Sequence, residues 1–175
     1  MRSVPQDLWP RSQNLRVLDA GCHDFSRGPA LEEFFSRPSV TGIDLDPHWL
    51  GGRARRTARS MSKGAYVRGN FFEWMPPERF HVITAFFPFV SPHPSLSWGL
   101  PFQWGDPVAW IRAIERKLEP GGVALTTHQG EWEEREFLDA LDGSALRTLF
   151  RKELPGRPTE SPHPVRIGLH IHRPA

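Results

Sequence analysis

A short apolar run, Leu15-Arg-Val-Leu-Asp-Ala20, ends in an acid and passes directly into a turn, Gly21-Cys-His-Asp-Phe-Ser-Arg-Gly28, which Pro29 closes. An apolar run of this length bounded by turn residues reads as a buried strand. Pro suits the first turn of a helix, where a missing N–H costs nothing. Ala30, Leu31, Phe34 and Phe35 then recur at helical spacing. Strand, turn and helix in this order open an α/β domain.

The alternation continues outward from that unit. Val40–Asp44 reads as a second strand ending in an acid, and Asp46-Pro47 as a cap and first position of a helix reaching about Ser62, with Gly51 and Gly52 weakening its first turn. Ala65–Gly69 and Phe80–Phe87 read as strands three and four, with no clear helix between them. Asp106-Pro107 opens a helix carrying Trp110, Ile111, Ile114 and Leu118, which Glu119-Pro-Gly-Gly122 ends before a fifth strand, Val123–Thr127. Glu131–Leu141 is acidic in its first turn and apolar at Phe137, Leu138 and Leu141, a helical pattern. Ala145–Leu154 and Val165–His172 alternate as two final strands around a Pro-rich loop. The expected architecture is α/β: a seven-stranded, mostly parallel sheet with an antiparallel terminal edge strand and helices on both faces.

The chain has 175 residues, with 22 Lys and Arg against 20 Asp and Glu. This predicts a single domain over 1–175, with 1–14 a short N-terminal cap or arm and 88–105 a substrate loop or lid. The chain is long enough to bury about 70% of its unfolded surface. A single Cys excludes an intramolecular disulfide framework and a Cys-rich zinc module. His residues show no tight ligand spacing, so no metal is expected. No apolar run reaches the roughly 18 residues of a membrane helix, and the first residues lack a signal-peptide core. A cytoplasmic protein without membrane contact is the expectation. The net charge of +2 does not argue for nucleic acid, although Arg53, Arg55, Arg56, Arg59 and Lys63 crowd one segment.

In open α/β sheets, ligands bind beyond the carboxyl ends of the strands. Asp19 with Gly21, Asp44, and Asn70 with Phe71 all collect there. A carboxylate ending strand two is placed to accept hydrogen bonds from both hydroxyls of a ribose. An amide beside an aromatic ring suits an adenine. The spacing G-x-G-x-x-G of a dinucleotide site is absent, as is a P-loop.

Val17-Leu-Asp-Ala-Gly-Cys22 resembles the first motif of class I S-adenosylmethionine-dependent methyltransferases, an acid followed by Gly-x-Gly-x-Gly. Gly42-Ile-Asp-Leu-Asp-Pro47 is similar to their second motif, Gly69-Asn-Phe-Phe72 to their adenine turn, and Leu118-Glu-Pro-Gly-Gly-Val123 to the segment before their fifth strand. The resemblance implies S-adenosylmethionine as cofactor. It places Gly21, Cys22 and His23 in the turn around the methionine part, and Asp19 toward its ammonium. It puts Asp44 on the ribose, Leu45 against the adenine, Asn70 and Phe71 at the adenine edge, and Ala85 and Phe86 at the methyl-transfer point. His23 and Phe25 stand where the second and third motif glycines belong, and His81 replaces an acid near the start of strand four.

Methyl transfer needs an aligned nucleophile and, for some acceptors, a base. His93, after strand four, and His128, at the end of strand five, are the expected catalytic residues, with His23 a further candidate base. Phe87, Phe89, Trp98 and Trp104 form an aromatic set suited to a substrate wall. Phe86-Phe-Pro-Phe89 lacks the [Asn/Asp]-Pro-Pro-[Tyr/Phe] of enzymes that methylate exocyclic amines, which favours a small-molecule substrate. Two other readings stay open: an RNA methyltransferase using the basic 53–63 helix, and a noncatalytic binding protein whose His23 and Phe25 fill the methionine site. A homodimer that completes the pocket is left open as well.

Overall fold

The computed structural model describes residues 4–46, 49–90, 96, 99, 104–154 and 167–174, with backbone alone at 129, 154 and 167–174. β1 spans Arg16–Ala20, α1 Gly28–Phe34, β2 Ser39–Asp44, α2 Gly51–Ser60, β3 Gly64–Arg68 and β4 Phe80–Phe86. α3 follows at Pro107–Lys117, then β5 at Leu118–Gln129, α4 at Glu131–Ala140, β6 at Leu146–Leu154 and β7 at Ile167–Pro174. The strands lie in the order β3-β2-β1-β4-β5-β7-β6, and β3 to β5 pair in parallel.

The antiparallel strand is not at the edge. β7 runs between β5 and β6 and pairs antiparallel with both, which leaves β6 outermost. Inserted there, β7 satisfies the free edge of β5 and one edge of β6 together. Periodicity identifies strands but says nothing of their lateral order, which is why the sequence pattern put this strand at the rim.

Alternate residues of the central strands feed opposite faces, as a two-residue period requires. Val17, Val82 and Val123 pack on the face carrying Leu31 of α1 and Ala54 and Ala58 of α2. Leu18, Ile83 and Ala124 pack on the face carrying Ile111 and Ile114 of α3 and Phe137 of α4. Both faces are covered, so the strands read as continuous apolar runs.

The helix starts show local chemistry. Asp106 Oδ1 accepts the Val108 N–H at 2.9 Å, and Pro107 takes the first helical position. α2 begins later than Asp46-Pro47 suggests. Asp46 sits at φ +58°, and its Oδ1 reaches forward to accept the Gly51 N–H at 2.9 Å. The cap therefore acts on a helix that starts five positions further on. Between β3 and β4 the described chain forms a single turn, with the Glu73 and Trp74 N–H groups donating to the Asn70 carbonyl at 3.2 and 2.8 Å. His81 Nδ1 accepts the Arg16 N–H at 3.1 Å, so this histidine ties the start of β4 to β1. Burial and the nearby Arg16 charge hold its pKa below the ordinary histidine value.

Trp9 is buried edge-on against Phe34 and Phe35, with ring centroids 5.6 and 5.1 Å away. Among the described residues no helix is long and apolar enough to cross a membrane.

Candidate functional site

The chain lays β2 and β3 on one side of β1, then crosses to place β4 on the other. Helical connections diverge at that switch, and a crevice opens beyond the strand ends. A cavity of about 340 Å³ lies there. Its wall takes Gly21 from the end of β1, Asp44 and Leu45 from β2, Asn70 and Phe71 from the turn after β3, Phe86 to Phe89 from β4 onward, and Trp110 from α3.

One half of the cavity is built for polar recognition. Gly21 adopts φ +67°, and a Cβ added there would meet only the Trp110 ring, at 4.0 Å, so its backbone is open for close approach. Asp44 Oδ2 accepts the His23 N–H at 2.9 Å, and Oδ1 accepts the Asp46 N–H at 2.8 Å. Two backbone donors thus fix the carboxylate, and each oxygen keeps a lone pair for a ligand hydroxyl. Asn70 Oδ1 accepts the Phe72 N–H at 3.0 Å, leaving that oxygen one further site. Phe71 packs against Trp110 in a tilted pair, centroids 5.0 Å apart and planes 31° apart. The Trp110 indole N–H donates to the Phe89 carbonyl at 3.0 Å, which ties α3 to the segment after β4.

The turn after β1 solves a steric problem. His23 and Phe25 both hold positive φ, 55° and 60°, where L-residues pay about 1–2 kcal/mol. The backbone path that glycine would favour is therefore kept without glycine. Phe25 does not enter the cavity; its side chain is fully buried in the core on the α1/α2 face. A Cβ on Gly42 would lie 2.6 Å from the Phe25 ring, and one on Gly28 would lie 2.9 Å from it. Glycines at 28 and 42 provide the space that the Phe25 ring fills. His23 does line the cavity. The alternative noncatalytic reading has both His23 and Phe25 fill the methionine site; the Phe25 ring lies in the core instead.

At the other end of the cavity, Asp19 is completely buried behind the wall. Thr84 Oγ1 donates to its Oδ1 at 3.0 Å, and Arg27 Nε lies 3.7 Å from its Oδ2. Burial outweighs the Arg27 charge and pushes the carboxyl up to about 6. The Arg27 guanidinium also donates to the Gly21 carbonyl at 3.2 Å and sits 4.9 Å above the Phe86 ring centroid. Phe87, at φ +57°, is held by N–H bonds to both Thr127 Oγ1 and the Thr127 carbonyl, each 3.1 Å, and is 40% exposed.

No family model and no curated protein sequence matches the chain. Solved structures do. The N-methyltransferase NodS from Bradyrhizobium japonicum WM9, in complex with S-adenosyl-l-homocysteine, is 17% identical with a TM-score of 0.68, over 91% of this chain and 78% of that one. A SAM-dependent methyltransferase from Methanosarcina mazei is 14% identical with a TM-score of 0.69, over 94% of each chain. The [4+2]-cyclase SpnF is 16% identical with a TM-score of 0.72, over 97% of this chain and 78% of that one. This chain has the class I methyltransferase fold.

Within that methyltransferase fold, the residues expected at the site divide into four groups. Gly21, His23, Asp44, Leu45, Asn70, Phe71, Phe86, Phe87, Phe89 and Trp104 are brought together on the cavity wall. Asp19, Cys22 and Ala85 lie buried behind it. Cys22 Sγ would be 2.8 Å from a Cβ on Gly42, so the thiol faces the core, where burial raises its pKa. His93 and Trp98 lie outside the described residues. His128 is corrected: it is fully buried, its Nε2 3.0 Å from Thr126 Oγ1 and its ring 4.7 Å from the Phe137 ring, away from the cavity wall. A residue ending β5 is turned under α4 as readily as toward a ligand, and sequence position does not distinguish the two. Arg27 and Trp110 line the cavity but were not expected there. Trp110 matched a helical core stripe. A basic residue in the turn after β1 was the available signal for Arg27.

Proposed function

We propose that the protein is an S-adenosylmethionine-dependent methyltransferase acting on an O or N nucleophile of a small molecule. The observation that carries this reading is the Asp44 carboxylate, fixed by two backbone amides beside the open Gly21 backbone. In this reading Asp44 accepts both ribose hydroxyls, Leu45 and Phe71 flank the adenine, and the remaining lone pair of Asn70 Oδ1 takes its amino group. S-adenosylmethionine supplies a methyl group on a sulfonium, activated toward displacement. The protein's task is then alignment and exclusion of water.

Phe86, Phe87, Phe89 and Trp104 supply a mostly apolar wall on the acceptor side. A flat or apolar small molecule suits that wall. His93 is the proposed proton acceptor, in the segment that follows β4. His128 is not proposed, since its burial under Phe137 removes it from the cavity.

Isothermal titration calorimetry with S-adenosylmethionine and S-adenosylhomocysteine, on protein checked for carried-over ligand, tests the cofactor assignment. Micromolar or tighter binding is expected. Folded, ligand-free protein that binds neither compound overturns it. The acceptor class is tested by methyl transfer to a panel of hydroxylated and amino-bearing aromatic molecules, with RNA as a control.

A further inference from the structure

We infer that Arg27 is a resident cation of the cavity: it occupies the corner that would receive a ligand's positive charge, so S-adenosylmethionine or S-adenosylhomocysteine must displace it to seat an ammonium there. The inference rests on the reading that the cavity takes an adenine nucleoside. It concerns what the far end of that nucleoside carries.

The cavity is acidic. Asp24 and Asp44 lie on its wall, and Asp19 is buried directly behind. Three kinds of group attract a cation: a carbonyl oxygen, a carboxylate and an aromatic face. All three converge in this corner, as the Gly21 carbonyl, Asp19 and Phe86, and the Arg27 guanidinium engages all three. Few groups are left there for an incoming ammonium.

The fit is loose, which matters for exchange. Arg27 Nε is buried and has no hydrogen-bond acceptor, and Asp19 Oδ2 is buried and has no donor, among the described residues. The two atoms face each other at 3.7 Å, too far for a hydrogen bond. Guanidinium is broad and planar, whereas an ammonium is compact and can turn a proton toward a single oxygen. A ligand ammonium would satisfy Asp19 Oδ2 directly once Arg27 left. The Arg27 side chain is 38% exposed, so it has a route to solvent. A ligand with a cationic end must therefore displace Arg27, while a neutral nucleoside binds beside it.

The test compares S-adenosylhomocysteine, which carries an ammonium, with 5′-methylthioadenosine, which does not, by calorimetry at fixed salt. Arg27→Gln is expected to tighten S-adenosylhomocysteine by about tenfold, the scale of a cation–π contact plus a hydrogen bond no longer broken, and to leave 5′-methylthioadenosine unchanged. Arg27→Lys keeps the charge and should keep most of the wild-type ratio. Arg27→Met repeats the neutral substitution should the Gln variant fold poorly, as judged by circular dichroism. An unchanged ratio in the neutral variants overturns the inference, and so does weaker S-adenosylhomocysteine binding, since the guanidinium would then be reading the ligand's carboxylate. If neither compound binds the wild type or any folded variant, the nucleoside reading itself fails, an outcome separate from a misassigned Arg27.

Discussion

Replacing Gly42 by Ala adds one methyl group to a central strand, where such a change usually gains about 0.5–1 kcal/mol through reduced backbone freedom in the unfolded chain. Here it should cost stability. The new Cβ would stand 2.6 and 2.8 Å from two Phe25 ring carbons and 2.8 Å from Cys22 Sγ, inside the distance that real contacts tolerate. Overpacking of this kind costs about 1–3 kcal/mol, and the tightness of the contact argues for the upper part. Phe25→Ala by itself removes a fully buried ring at a cost of about 3–5 kcal/mol. In that background the methyl at 42 enters vacated space and Cys22 can give way, so Gly42→Ala should fall to about 1 kcal/mol or less. The coupling energy of the cycle is then about 1–2 kcal/mol, favouring the double variant over the sum of the singles. Urea unfolding followed by tryptophan fluorescence measures all four proteins, with Phe25→Leu as a milder partner if Phe25→Ala is too unstable. An equal cost for Gly42→Ala with and without the Phe25 ring would refute the reasoning that the glycines at 42 and 28 make room for it.

Asp44→Ala should weaken S-adenosylhomocysteine binding by about 100-fold, since two hydrogen bonds to a charged acceptor are lost, and wild-type affinity would rule out the ribose assignment. Lys117 is fully buried, its Nζ lacks a hydrogen-bond partner among the described residues, and it lies 4.9 Å from the Phe71 ring centroid. Burial lowers its pKa from 10.5 to about 8, so the unfolded chain binds more protons between those values and stability rises with pH across that window. Lys117→Met should stabilise the fold at pH 7 by about 1–2 kcal/mol and remove this part of the slope; melting curves from pH 7 to 10 with parallel slopes would contradict it.

Much of the site was legible because its polar half depends on short-range features. Asp44 ends a strand, Gly21 opens a turn, and Asn70 begins one, and each is visible in a few consecutive residues. Arg27 and Trp110 were missed as cavity residues, and His128 was misplaced, for a different reason. Each sits on an element whose pattern was read correctly, but which side faces the cavity depends on neighbours distant in sequence. Arg27 reaches Phe86 through the pairing of β1 with β4, and His128 meets Phe137 only because α4 folds back over β5.

Alternating apolar runs, Pro-started helices and glycine turns determined the elements and their sequence order, because these depend on backbone preferences within a turn or a strand. Tertiary structure alone decided that β7 runs inside the sheet rather than at its rim, that Phe25 turns into the core, and that Arg27 fills the acidic corner. Those outcomes depend on which edge, void or charge is left after distant segments meet, and no local pattern records that.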